Sequence, residues 1–183
     1  MRTCEHPECV NRSVRDAASV DREFADFYRA RGSALRRTAY VVVGDWHLAE
    51  DLTQQAMAKV YARWRRVHAE TRGAYARRAV VNECLSHLRR HRPEVSTANV
   101  PDASYDPQPD PPSTDLGAAL AALPARQRAI VALRFLDDLS VREVAAVLGI
   151  AEGTVKSQTA RALGTLRVHV PHLEPASSYA EED

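Results

Sequence analysis

The residues best suited to do chemistry in this sequence are arginines and aromatic residues in its first half. Trp64 and Tyr75 bracket a short loop at residues 67–73, and arginines crowd the predicted helix that follows. Arginine attracts phosphate and an aromatic ring stacks on an unpaired base, so the pattern favours single-stranded nucleic acid over duplex. The alternative is structural, with Trp64 in the core and Tyr75 packed at a helix end. The arginines of this helix are Arg77, Arg78, Arg89 and Arg90.

Candidate metal ligands lie near the N-terminus, where Cys4, His6 and Cys9 are close together. Zinc is normally held by four ligands, and the fourth would have to come from Cys84 or a distant histidine. Cys84 lies in a helical apolar pattern, where a thiol behaves as a small hydrophobic side chain. We therefore expect no metal and no cofactor. We also expect no enzymatic activity, because no nucleophile, base and orienting group occur together.

A second candidate site is found at residues 139–166, which have the spacing of a helix-turn-helix. Ser140 and Glu143 form a capping box that starts the first helix. Ala145 allows two helices to cross closely, and Gly149 can adopt the left-handed conformation of a sharp turn. A small helical hairpin of another kind could share this spacing. The polar outer face of the second helix consists of Glu152, Thr154, Lys156, Ser157, Ala160 and Arg161.

Charge and proline content divide the chain. Residues 63–92 hold nine arginines and two glutamates. Residues 93–113 hold six of the chain's ten prolines, and they contain acidic residues but no lysine or arginine. The second stretch is typical of a flexible linker. We predict an all-α protein with two small helical domains, at residues 20–92 and 114–170. The predicted flanking segments are a polar leader without regular structure at residues 1–19 and an acidic tail at residues 171–183.

Apolar periodicity predicts three to four helices in the first domain and four in the second. Gly44 ends the first helix, and Asp45 caps the second. One further helix is predicted over residues 125–136, with Leu136 turned inward. The second helix carries an outer face of acids and amides, a composition suited to a solvated surface or to docking on another protein. This face consists of Glu50, Asp51, Gln54 and Gln55.

The composition also indicates the cellular compartment in which the protein works. No apolar run approaches the roughly 18 residues that a membrane span requires. The three cysteines cannot complete a disulfide framework, which is typical of a reducing compartment. We therefore expect a cytoplasmic protein.

Taken together, four motifs resemble the extracytoplasmic-function group of bacterial sigma factors, over about residues 20–170. Individually the helix-turn-helix also fits response regulators and many repressors, but its combination with the acid-and-amide helix is specific. The motifs are AEDLTQQ at residues 49–55, AYARR at residues 74–78 through Asn82, LPARQR at residues 123–128, and GTVKS at residues 153–157 through Arg161.

The resemblance implies a dissociable subunit that binds core RNA polymerase, directs it to promoter DNA and helps to melt the −10 element. It implies contacts with the β′ clamp coiled coil and the β subunit, and an anti-sigma factor as a candidate partner. The implied polymerase-binding residues are Asp51, Gln54 and Gln55. The implied −10 contacts are Tyr75, Arg77, Arg78 and Asn82, and the stacking argument above adds Trp64 to them. The implied −35 contacts are Lys156, Ser157 and Arg161, and the polar outer face of the helix adds Glu152 and Thr154 as groove-reading positions.

Two other functions fit the same residues. A polymerase-independent transcriptional regulator would bind a palindromic duplex through residues 139–167 and oligomerise through its N-terminal domain. A helical interaction module would use its basic surface to bind an acidic protein. Binding to free promoter DNA separates the first alternative from a sigma factor, since one short helix-turn-helix buries too little surface to hold a site alone.

Overall fold

The computed structural model describes the backbone of residues 7–91 and 115–170, and the side chains of residues 18–91 and 116–170. Every regular element in these residues is helical, which confirms the all-α prediction. Several predictions fall outside these residues. They concern Cys4, His6, the side chain of Cys9, the linker at residues 93–113 and the tail at residues 171–183.

Seven α-helices occur in the described residues, and short 3₁₀ turns at Trp64–Arg66 and Ala69–Thr71 connect the second helix to the third. Helices α1–α3 form an N-terminal module and α4–α7 a C-terminal module. The helices are α1 (Pro7–Val43), α2 (Trp46–Ala62), α3 (Arg72–Arg90), α4 (Asp115–Ala122), α5 (Ala125–Val131), α6 (Val141–Leu148) and α7 (Glu152–His169).

Helix α2 follows its predicted pattern. The Asp45 carboxylate accepts a hydrogen bond of 2.7 Å from the backbone N–H of Leu48, so it satisfies one donor that the helix leaves open. Leu52, Ala56 and Val60 are each one turn apart on one face, and all three are buried against α1 and α3. The polar residues of the opposite face are thereby left outside the core.

Helix α1 is longer than the sequence pattern predicts. It begins at Pro7, whereas the apolar spacing starts at about residue 20. Residues 7–19 are therefore helical in the structure, rather than an irregular leader. Proline is well suited to a first helical position, because its fixed φ is helical and its missing N–H would have had no partner there.

The predicted single helix at residues 125–136 is corrected by the structure. Helix α5 is α-helical to Val131 and continues as a π-helical turn over Ala132–Leu136. The backbone N–H of Asp137 donates to the Ala132 carbonyl at 3.0 Å, the wider spacing of a π-turn. The extra residue changes the direction of the side chains that follow. Leu136 is 45% exposed rather than turned inward.

The two modules share one hydrophobic core. Val42 and Val80 of the N-terminal module belong to the same buried cluster as Ile130, Leu133 and Val144 of the C-terminal module. Helix α1 packs against α5, and α3 packs against α6. A small module buries a smaller fraction of its surface than a larger domain does. The packing between the modules therefore buries apolar surface that neither module would bury alone. The sequence predicts two domains on a flexible linker and contains no signal for the contact between them.

Candidate nucleic-acid interface

The helix-turn-helix forms as its sequence predicts. Ser140 Oγ accepts a hydrogen bond of 3.2 Å from the backbone N–H of Glu143, and Glu143 Oε2 accepts one of 2.8 Å from the backbone N–H of Ser140. The bond from the Ser140 backbone is the main reason that the pKa of Glu143 lies below its ordinary value. Gly149 then turns the chain with a φ of 65°, in the left-handed region.

Helix α7 has a buried apolar side and an exposed polar side. Val155, Ala162 and Leu166 are buried against the helices around them. All five residues predicted to contact the −35 element are exposed on the outer face, so the structure brings them together on one surface. These residues are Glu152, Thr154, Lys156, Ser157 and Arg161.

Gln158 has a different role from its neighbours on α7. Its side-chain oxygen accepts a hydrogen bond of 3.0 Å from the amide nitrogen of Gln127 on α5. This contact joins α7 to the helix that supports it. Gln158 is thus part of the scaffold beneath the exposed face, and Lys156 and Arg161 are the cations that the face presents.

The second candidate surface is on α3. Arg78 and Asn82 are exposed, and Tyr75 is partly exposed. The Tyr75 hydroxyl accepts a hydrogen bond of 3.2 Å from Arg63, which fixes one end of the ring. Arg77 differs from the others, because its side chain is only 18% exposed and its Nε lies 3.1 Å from a carboxylate oxygen of Asp137.

Trp64 is the residue for which the structure contradicts the prediction of a nucleic-acid contact. It is 1% exposed. The rings of Phe24 and Phe27 meet it edge-on, with ring centres 5.1 Å and 5.0 Å away, and the Arg72 guanidinium lies 4.1 Å from its ring centre. No face of the ring is open to a base. Trp64 is therefore a core residue, which is the structural alternative given in the sequence analysis, and it packs beneath the loop.

Arg63 is a functional candidate that sequence reasoning missed. It precedes Trp64 and is exposed, and it reaches Tyr75 across the loop at residues 67–73. The two side chains are 12 positions apart, so helical periodicity gives no signal for the contact. With Arg65, Arg66 and Asp21 it lines a cavity of about 350 Å³ beside the end of α2.

The acid-and-amide face of α2 is exposed as predicted. Asp51, Gln54 and Gln55 all face outward and lie within little more than one turn of each other. Their neighbour Glu50 is instead partly buried and ion-paired with Arg36 at 3.3 Å. The structure thus separates Glu50, which ties α2 to α1, from the three residues that remain available to a partner.

Cys84 is buried in the core, and burial raises the pKa of its thiol to about 12. It therefore behaves as the small hydrophobic side chain expected from its position. Within residues 18–91 and 116–170, no three His, Cys, Asp or Glu side chains are placed to hold a metal ion. No helix of the described part is long and apolar enough to cross a bilayer.

The fold and its exposed basic surfaces define a helical, two-module nucleic-acid-binding protein. Residues 27–94 match the family model described as Sigma-70 region 2, and residues 113–166 match Sigma-70, region 4. An RNA polymerase sigma-E factor of Streptomyces avermitilis is 39% identical over 150 residues, which cover 79% of this chain and 83% of that protein. The ECF RNA polymerase sigma factor SigM of Mycobacterium tuberculosis is 34% identical over 148 residues, which cover 78% and 74%.

A solved structure has the same fold. It is the sigma factor RpoE of Bartonella quintana in complex with the anti-sigma factor NepR, with a TM-score of 0.67 and 24% identity, covering 83% of this chain and 99% of that one. The chain belongs to the extracytoplasmic-function group of the sigma-70 family, and it directs promoter-specific transcription initiation. Sigma factors are regulatory, non-catalytic proteins.

Proposed function

We propose that this sigma factor reads the −35 element with the outer face of α7. The observation that carries the proposal is the separation of that helix into a buried side and an exposed polar side. A helix seated in this way can enter a major groove with its polar side toward the bases. Lys156 and Arg161 then donate to guanine edges or phosphates, while Thr154 and Ser157 offer hydroxyl groups.

The −10 element is read by α3 and the loop before it. Tyr75 supplies a ring for an unpaired base, and Asn82 supplies an amide that can pair with a base edge. Arg78 attracts the phosphates of the melted strand, and Arg63 holds the Tyr75 hydroxyl. Trp64 is left out of this surface because it is buried.

Core RNA polymerase docks on the exposed face of α2, through Asp51, Gln54 and Gln55. One carboxylate beside two amides offers both a charge and several hydrogen-bonding groups to the β′ clamp coiled coil. The β subunit contacts the C-terminal module, and the protein works in the cytoplasm with the polymerase. An anti-sigma factor is a further candidate partner, since the sigma factor of Bartonella quintana with the same fold is bound to one.

The experiment that tests this function is promoter opening with bacterial core polymerase, with and without the protein, on a library of genomic fragments. We expect new transcript starts that share one −35 and −10 pair. The polymerase-independent regulator predicts the opposite result: no new starts, and tight binding of the protein alone to a palindromic duplex.

A further inference from the structure

The two ends of the loop at residues 67–73 are joined by one side chain, that of Arg72. Arg72 is the first residue of α3 and lies near the end of the loop. Its guanidinium is 4.1 Å from the ring centre of Trp64, which comes before the loop in the chain. A planar guanidinium stacks favourably on an indole ring, and the attraction is greatest where the ring is withdrawn from water, as it is for the buried Trp64. This contact therefore closes the loop.

Arg72 also connects the loop to α1. Its Nη1 lies 3.1 Å from the Glu23 carboxylate, with the Arg72 side chain 20% exposed and that of Glu23 50% exposed. An exposed ion pair contributes little to stability, so the main effect of this pair is to fix the direction in which the guanidinium points. Phe24 and Phe27 of α1 pack edge-on against the Trp64 ring. Helix α1 thus holds both members of the contact that closes the loop.

The first turn of α3 also carries Tyr75. Arg72 and Tyr75 are three residues apart, so they lie on neighbouring turns of the same side of the helix. The Tyr75 hydroxyl accepts a hydrogen bond of 3.2 Å from Arg63, the residue before Trp64. This bond reaches only the hydroxyl end of the ring, whereas Arg72 holds the backbone turn from which the ring projects. The position of the Tyr75 ring therefore depends on Arg72.

The contact between Arg72 and Trp64 leaves two buried donors unsatisfied. Arg72 Nε and Trp64 Nε1 are both buried, and neither has a hydrogen-bond partner among the described residues. Unsatisfied buried donors lower stability, and an apolar side chain of similar volume would avoid this cost. Departures of this kind from the most stable arrangement are expected at functional sites. The arrangement is thus better suited to placing the loop than to stabilising the core.

We propose that Arg72 is a positioning residue for −10 recognition, which holds the loop and Tyr75 in the arrangement that receives an unpaired base without touching DNA itself. The inference rests on the proposed role of α3 and deepens it, because it names the residue that prepares this surface. A loop already held in its binding conformation loses less entropy when DNA binds. Without Arg72 the loop adopts that conformation only part of the time, and the apparent affinity falls by that fraction.

The first test measures the loop in the free protein by hydrogen–deuterium exchange. The backbone N–H groups of Val67 and Thr71 are hydrogen-bonded to carbonyls within residues 63–71, so their exchange reports opening of the loop. We expect Arg72→Ala to raise exchange over residues 67–75 about fivefold or more and to leave α7 unchanged. Arg66→Ala removes an equal charge from an exposed neighbour and should leave both regions unchanged. Unchanged exchange over residues 67–75 in Arg72→Ala would overturn the proposal.

The second test measures binding of the polymerase holoenzyme to a labelled single-stranded −10 oligonucleotide at several salt concentrations. We expect Arg72→Ala to bind about tenfold more weakly, with an unchanged slope of log affinity against log salt. A residue that contacts a phosphate would instead lower that slope by about 0.7 when it is removed, and this result would make Arg72 a direct contact and refute the proposal. Arg72→Lys keeps the charge but not the planar stack, so it should recover only part of the affinity. Binding to a −35 duplex should be unchanged in both variants.

Glu23→Gln separates positioning from bulk charge. It removes a negative charge beside the proposed DNA surface, so electrostatics alone predicts tighter binding to the −10 oligonucleotide. Loss of the partner of Arg72 predicts the opposite, and we expect binding to weaken about two- to threefold, because the pair is exposed. Asp26→Asn is the matched control, since it removes an equal charge from an exposed position on the next turn of α1 and should not weaken binding. Tighter binding by Glu23→Gln would contradict the proposal.

The wild-type holoenzyme distinguishes failure of this inference from failure of the proposed function. If the wild-type holoenzyme does not bind the −10 oligonucleotide, the proposed role of α3 is wrong, and the role of Arg72 in it is wrong as well. If the wild-type holoenzyme binds and the Arg72→Ala holoenzyme binds equally well, α3 keeps its proposed role and only the positioning role of Arg72 is excluded.

Discussion

Asp137 and Arg77 form an ion pair of 3.1 Å between two modules that the sequence predicts to be independent. The carboxylate is also hydrogen-bonded to Thr38, a residue 99 positions earlier in the chain. Burial raises the pKa of Asp137 above its ordinary value, and both partners oppose that rise. A buried carboxylate is costly unless it is paired, so Asp137 supports the contact between the two modules only while both partners are in place.

The exposed cations of α7 should determine affinity for −35 DNA. We expect Lys156→Ala or Arg161→Ala to weaken binding of the polymerase holoenzyme to a −35-dependent promoter by about 1–3 kcal/mol each, because each loses a contact to a base edge or phosphate. Quantitative footprinting measures the change. Arg22→Ala on α1 removes an equal charge away from α7 and should have no effect. Unaltered footprints with both α7 variants would remove these residues from the interface.

Asp51 should be necessary for binding to core polymerase. We expect Asp51→Arg to abolish co-purification with the polymerase, because it reverses the one charge among the three residues of the proposed docking face and adds a longer side chain there. Circular dichroism should show an unchanged helix content, since Asp51 is exposed. Asp26→Arg serves as the control, as it reverses an exposed charge on α1 whose surface ion pair with Arg29 contributes little. Retained co-purification of Asp51→Arg would exclude the residue from the docking face.

Promoter melting should depend on the ring of Tyr75 more than on its hydroxyl. We expect Tyr75→Ala to weaken holoenzyme binding to single-stranded −10 DNA by about 1–3 kcal/mol through loss of base stacking. Tyr75→Phe keeps the ring and loses only the hydrogen bond from Arg63, so it should remain near the wild-type level. Fluorescence-anisotropy titration of the holoenzyme against a labelled single-stranded −10 oligonucleotide measures this affinity for both variants. A larger defect in Tyr75→Phe than in Tyr75→Ala would refute stacking.

Trp64 should matter for stability rather than for direct DNA contact. We expect Trp64→Ala to lower the free energy of unfolding by about 3–5 kcal/mol, because it leaves a large cavity among Phe24, Phe27 and Arg72. Urea denaturation measures the loss, with Tyr75→Ala as a partly exposed aromatic comparison. Equal stability of Trp64→Ala and the wild-type protein would contradict the burial of this ring.

The capping box should make the stability of α6 depend on pH. The pKa of Glu143 is lower in the folded protein than its ordinary value of 4.5. The contribution of Glu143 to the free energy of unfolding is therefore fully present above pH 4.5, and it is lost as the pH falls through the pKa of the folded state. We expect Glu143→Gln to reduce the fall in unfolding free energy below about pH 4.5, since an amide still accepts from Ser140 but carries no charge. Urea titrations at several pH values check this, and an identical pH profile in both proteins would contradict it.

Ser140→Ala should lower the free energy of unfolding by about 1 kcal/mol at neutral pH.

The local features of this protein follow from its sequence. Asp45, the capping box and Gly149 act on groups within a few residues, so their neighbours in the chain are enough to predict them. The apolar row along α2 and the polar face of α7 follow from helical periodicity, which places residues on a face without reference to the rest of the fold.

Tertiary structure decided the rest. The burial of Trp64 depends on rings contributed by α1, and the position of Asp137 depends on a π-helical turn that apolar periodicity does not predict. The contacts of Asp137 and Arg128 with α1 join residues 99 and 86 positions apart, and no local pattern records which helices will meet. Sequence therefore predicted which surfaces are candidates for binding polymerase and DNA, and tertiary packing decided that α6 lies beside one of them, because that position depends on how the two modules bury their apolar faces against each other.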